Sequence, residues 1–160
     1  MKRQSTFLVC TILMSVLIFS KPVLGQGKPI FDLTIAKKEI EDANKKFMEF
    51  VSKRDSIGIA GSYTADAKLM FAGEPAVVGR ASIQTAFSRI LNSGVTKVEI
   101  KTKEVFGTLD LLAEEGEVTI YVKDQVVAAE KYIVLWKKEA GKWKLFRDIS
   151  NSNLPAPASK

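Results

Sequence analysis

The stretch EKYIVLWKKEAGKWKLFRDISNSN, Glu130 to Asn153, decides how this chain is read. Tyr132, Val134 and Trp136 alternate with Lys131, Ile133, Leu135 and Lys137, the period of a pleated strand. Glu139-Ala140-Gly141-Lys142 supplies a tight turn, with Gly141 free to take positive φ. On the return strand Trp143, Leu145, Arg147 and Ile149 share one face, and Lys144, Phe146, Asp148 and Ser150 the other. Two tryptophans, a tyrosine and a phenylalanine make this hairpin a large apolar load. It ends in a polar cluster, Arg147, Asp148, Asn151 and Asn153. An apolar wall with polar groups at its rim is how a small-molecule pocket is built.

Working outward, everything after Gly94 reads as sheet. Val98, Ile100, Thr102, Glu104 and Phe106 alternate with charged neighbours, and Leu112 to Val122 is a strand interrupted by Gly116, a bulge or a close approach. Upstream the period becomes helical. Ala36, Ile40, Ala43, Phe47, Phe50 and Val51 form one stripe ending near Arg54. Asp55 or Ser56 can cap a short second helix, and Ile83, Ala86, Phe87, Ile90 and Leu91 mark a third, with Ser82 at its start. Between them lie a short strand, Ala67 to Phe71, and a stub, Ala76 to Val78. Helices followed by a meander of long strands give an α+β fold: about three N-terminal helices packed on a curved antiparallel sheet, a cone with an open end.

The N-terminus has a different character. Lys2 and Arg3 precede an apolar run, Phe7 to Phe19, too short to span a bilayer. Val23 and Gly25 satisfy the small-residue rule of a signal-peptidase site, so residues 1–25 are expected to be a cleaved secretory signal, cut after Gly25. The protein is then periplasmic or secreted, with no membrane attachment after cleavage. Residues 26–34 are expected to be a leader, 35–153 the single domain, and 154–160, with Pro155 and Pro157, a disordered tail. Without Lys2, Arg3 and Lys21 the 24 basic residues fall to 21 against 18 acidic ones. A net charge of +3 with mixed signs is no nucleic-acid footprint. Cys10 leaves with the signal, so the mature chain has no disulfide, and the sequence has no histidine for a zinc site or a His-based triad. No cofactor is expected.

YTADAKLMFAG (Tyr63–Gly73), VVGRASIQTAF (Val77–Phe87), EKYIVLWKKEAGKWKLFRD (Glu130–Asp148) and the ISNSN that follows are the motifs with a family character. Over roughly residues 35–153 the chain resembles the nuclear-transport-factor-two-like superfamily, which includes the ketosteroid isomerase and SnoaL-like polyketide cyclase families. It looks most like the secreted bacterial group of unknown function. The resemblance implies a cone-shaped fold, a homodimer formed through the sheet, and a pocket between sheet and helices. Where relatives often carry a His before the Arg-Asp pair and an aromatic two places after the Asp, this chain has Phe146 and Ser150.

Asp148 is the leading candidate for chemistry, because a carboxylate at an apolar wall has its charged form disfavoured and its pKa raised. Neighbours on a strand face opposite sides, so only one of Arg147 and Asp148 should enter the pocket unless a bulge intervenes. Asp66, after Tyr63, is the second candidate base, and otherwise a turn residue. Glu115 and Glu117 share a face that either lines the cone or meets water. Tyr63, Met70, Phe71, Tyr132 and Trp136 are candidates for the lining, with Arg147 and Asn151 as polar contacts.

Three functions fit. One is a pocket for a small apolar or mixed organic ligand. Another is a cofactor-free isomerase, cyclase or hydratase with Asp148 or Asp66 as base and Tyr63 or Tyr132 as donor to an enolate. The last is a dimerising module with a filled cone. A cavity under roughly 300 Å³ favours the filled module; a base and a free donor converging on one point favours the enzyme.

Overall fold

The structure, a computed structural model, describes residues 31–153. The expected signal (1–25), leader residues 26–30 and the tail (154–160) lie outside the described residues. Asp32 caps the first helix, α1 (Leu33–Ser52), by accepting from the amides of Thr34 and Ile35. Leu33 and Thr34, assigned above to the leader, are therefore helical. The buried stripe of α1 is Ala36, Ile40, Asn44 and Val51. Asp55 caps α2 (Ser56–Gly61) through the Gly58 amide. Then follow β1 (Tyr63–Met70), β2 (Val77–Val78), α3 (Arg80–Asn92), β3 (Val95–Gly107), β4 (Leu112–Val122), β5 (Gln125–Glu139) and β6 (Lys142–Ser152). Gly79 occupies the N-cap of α3, and Ser82, expected at the cap or in the first turn, lies in the first turn. No helix among the described residues is long and apolar enough to cross a membrane.

The fold is α+β, with the helices packed on one face of a curved, unclosed six-stranded sheet. The strand order is β2-β1-β6-β5-β4-β3, antiparallel except where β1 lies parallel to β6. The β5–β6 turn takes positive φ at both Ala140 (51°) and Gly141 (75°), the combination that matches the twist of a two-residue hairpin.

The strand pairing shifts register at several positions, two of which bear on the cavity. On β3 the pairing passes from Thr102–Gly116 to Glu104–Glu115, leaving Lys103 as an extra residue. Beyond it Val105 is buried and Phe106 exposed, the reverse of the sequence expectation. On β6, Leu145 pairs with Trp136 and Arg147 with Leu135, so Phe146 is extra. Each insertion swaps the faces beyond it, because side chains alternate every residue. The inner face of β6 thus runs Trp143, Leu145, then Asp148 and Ser150, while Arg147 and Ile149 turn outward.

Candidate functional site

The inner face of the sheet and the helices above it enclose a cavity of about 130 Å³. Its walls are largely apolar, with Phe47 and Val51 from α1, Phe87 and Leu91 from α3, and Val98 and Val118 from the sheet. Phe47, Tyr63 and Phe87 pack as an aromatic group, with ring centroids 5.6 to 6.4 Å apart. Among these walls stand three carboxyl groups, Glu114, Glu130 and Asp148. No lysine or arginine lines the cavity.

Glu114 is on the inner face of β4 because Leu112, Glu114 and Gly116 alternate inward there. It is almost wholly buried. Its Oε1 accepts from Asn44 Nδ2 (2.7 Å), Thr102 Oγ1 (2.7 Å) and the Tyr132 hydroxyl (2.8 Å), and its Oε2 from Trp136 Nε1 (3.0 Å). Burial raises its pKa; the four donors hold the charged form and oppose the rise. Gly116 makes this cluster possible. It lies opposite Tyr132 across the β4–β5 pairing, and a Cβ there would sit 2.2 Å from the Tyr132 hydroxyl oxygen.

Asp148 is placed differently. Tyr63, fully buried at the start of β1, donates to Asp148 Oδ2 at 2.6 Å. The other oxygen, Oδ1, has no protein donor, yet no enclosed side-chain oxygen among the described residues lacks a partner. Oδ1 is therefore open to the cavity. Burial pushes the Asp148 carboxyl up to about 6 against the pull of the Tyr63 bond, with the charges of Glu114 and Glu130 acting in the same direction as burial. The Tyr63 phenol is pushed well above its ordinary range, by burial first and by Asp148 second. Tyr132 is raised too, by burial and then by Glu114. The Tyr63 carbonyl is gripped by Arg80 (Nε 3.0 Å, Nη2 2.7 Å), whose guanidinium also meets Glu139 at 2.5 Å.

The structure brings together Tyr63, Phe71, Tyr132 and Asp148 as the sequence reading expected. It separates the others. Asp66, within β1, is exposed, accepts from Thr64, and has its pKa lowered chiefly by that bond, so it is neither the turn residue nor the raised-pKa base of the sequence reading. Met70 faces away beside Ile149, and Leu69 takes its place next to Asp148. Glu115 is exposed on the outer face; Glu117, also outer, pairs with Lys103 at 2.9 Å. Trp136 is core and reaches the site only through Glu114. Arg147 lies outside, its guanidinium 3.6 Å from the Phe146 ring centroid and bonded to the Asp66 carbonyl. Asn151 is exposed opposite Lys131. Glu114 and Asn44 are the residues that sequence reasoning missed. Both sit in apolar stripes, Glu114 between Leu112 and Gly116 and Asn44 four residues after Ile40, and that placement was the available signal.

A second depression, about 540 Å³, lies over α1, α2 and β6, with Glu39, Asp42, Lys46, Lys142 and Lys144 among its lining residues. Its charges are of mixed sign, and it encloses no carboxyl comparable to Asp148. No group of three or more potential metal ligands occurs among the described residues.

No family model and no curated protein matches the sequence. Solved structures do. A Nostoc punctiforme domain of unknown function with a cystatin-like fold superposes with a TM-score of 0.67 at 12% identity, over 76% of this chain and 80% of that one. A ketosteroid isomerase-like protein from Erwinia carotovora atroseptica gives 0.63 at 25% identity, over 78% of this chain and all of the other. A Catenulispora acidiphila protein solved in complex with S-DNPA gives 0.65 at 11% identity, over 75% and 95%.

Proposed function

We propose, for this member of the nuclear-transport-factor-two-like superfamily, a role as a binding module that holds a small organic molecule between its sheet and its helices. The observation that carries this reading is Asp148, one oxygen fixed by Tyr63 and the other turned into an apolar cavity. A half-satisfied carboxyl in such a place is unfavourable unless something completes it. Volume alone argues the other way. At about 130 Å³ the cavity is below the floor set above for ligand sites, so the occupant must be compact, near the size of the benzene that fits a cavity of roughly 150 Å³. That a relative of the same fold was solved with S-DNPA fits a binding role.

Catalysis has one observation in its favour, a carboxyl poised near pH 6. Against it, the two phenols that would serve an enolate are already committed. The Tyr63 hydroxyl donates its hydrogen bond to Asp148 and the Tyr132 hydroxyl donates its own to Glu114. A base is present without a free phenol donor, so binding is the better reading.

The same proposal includes export, with cleavage after Gly25, and dimerisation through the outer sheet face. Ile133 and Ile149, exposed and directly paired, are available there. Native mass spectrometry of the protein purified from its host is the test. A bound small molecule, lost on Asp148→Asn substitution, is expected; an empty chain at every condition would overturn the binding role. The same spectra report the cleavage site and the oligomeric state.

A further inference from the structure

Resting on the binding role above, we infer that the cavity selects a compact organic cation, an ammonium carried on a small apolar body. The argument is one of charge and wall chemistry. Every ionisable side chain on the lining other than the two tyrosines is an acid: Glu114 from β4, Glu130 from β5 and Asp148 from β6. The helices contribute no charged group to the lining, and β1 contributes Tyr63 and Leu69 and no charged group. Glu114 accepts from four donors and has no lysine or arginine as partner among the described residues. Its negative field reaches Asp148, and Glu130 adds to it.

An anionic guest would meet three acidic side chains and no cation in a poorly screened space. A neutral guest would leave the Asp148 carboxylate without a counter-charge at neutral pH. An ammonium can pair with the open Asp148 Oδ1 while its apolar body contacts the wall, and the aromatic group of Phe47, Tyr63 and Phe87 favours a cation over an anion. The volume confines that body to about one ring.

Benzylamine, benzyl alcohol and benzoate share one ring and differ in charge, so titration calorimetry of the purified protein with each is the test. Benzylamine is expected to bind at least tenfold more tightly than benzoate. Its affinity should rise about tenfold from pH 5 to pH 7, because a carboxyl titrating near 6 goes from mostly protonated to mostly ionised over that range. Asp148→Asn, nearly isosteric, should remove both the preference for the amine and the pH dependence. If that variant fails to fold, the charge series and the pH profile of the unmodified protein still decide. Benzyl alcohol binding as tightly as benzylamine, or benzylamine affinity that is flat or falls with pH, overturns the inference and leaves the binding role standing. Failure of all three probes together with an empty chain from the host overturns both.

Discussion

Two carboxyls share this cavity, and they are opposites. Glu114 is ringed by four donors from α1, β3 and β5; Asp148 has one donor, from β1. Glu114 is almost wholly buried and Asp148 partly so, and burial raises both pKa values. The difference is what the fold supplies in return. Around Glu114 the polar network is complete, since Asn44 also donates to Thr102 and frees its hydroxyl hydrogen for the carboxylate. Around Asp148 the network stops at an opening. A buried charge with a full set of donors organises the core, whereas one left incomplete marks the place where something from outside is expected.

The contrast can be broken most severely at Glu114. Glu114→Ala would orphan donors from Asn44, Thr102, Tyr132 and Trp136, and a loss of about 4 kcal/mol or more is expected in urea unfolding, at roughly 1–3 kcal/mol for each unsatisfied buried group. A loss below about 1 kcal/mol would mean that the network is not structural.

The next effect has the opposite sign. The Asp148 pKa lies near 6 in the folded chain against 3.8 in its ordinary setting. A raised folded pKa gives stability that is complete below the unfolded value and lost as pH climbs through the folded one. The difference, 2.2 units, corresponds to about 3 kcal/mol. Asp148→Asn should therefore stabilise the protein by up to about 3 kcal/mol at pH 8, and the gain should fade toward pH 4. Parallel unfolding curves at the two pH values measure it, and an equal difference at both would remove the case for a buried, incompletely paired carboxyl.

Gly116→Ala sharpens the comparison from the Glu114 side. The added methyl meets the Tyr132 hydroxyl and must push it off Glu114, with an expected loss of about 2 kcal/mol and a change in near-ultraviolet circular dichroism as Tyr132 moves. Arg147→Ala is the smallest. Its guanidinium lies on the outer face, so stability should change by only about 0.5 kcal/mol, and ligand affinity not at all, in the same calorimetric assay.

The architecture was legible because the apolar periods are clear. The stripe from Ile83 to Leu91 is helical, and Tyr132, Val134 and Trp136 are buried on one side of β5 as their alternation predicts. The cavity floor was only partly legible. Counting by two along a strand has no way to register an additional residue, and Lys103 and Phe146 are two such residues. The sequence reading put Leu145 and Arg147 on one face; the insertion at Phe146 puts Leu145 and Asp148 there instead. Glu115 drew attention for another reason: its partner Glu117 made a visible acidic pair, while Glu114 stood alone in an apolar alternation where its donors come from residues 12 to 70 positions away. Those distances are set by folding and leave no local trace.

The extra residue in β6 also has a genetic meaning. Deleting the single codon for Phe146 would restore regular alternation and still leave Leu145 and Asp148 inside and Arg147 outside, because the pairs Leu145–Trp136 and Arg147–Leu135 already skip it. The cavity would keep its polarity, so a chain lacking Phe146 should still prefer benzylamine to benzoate.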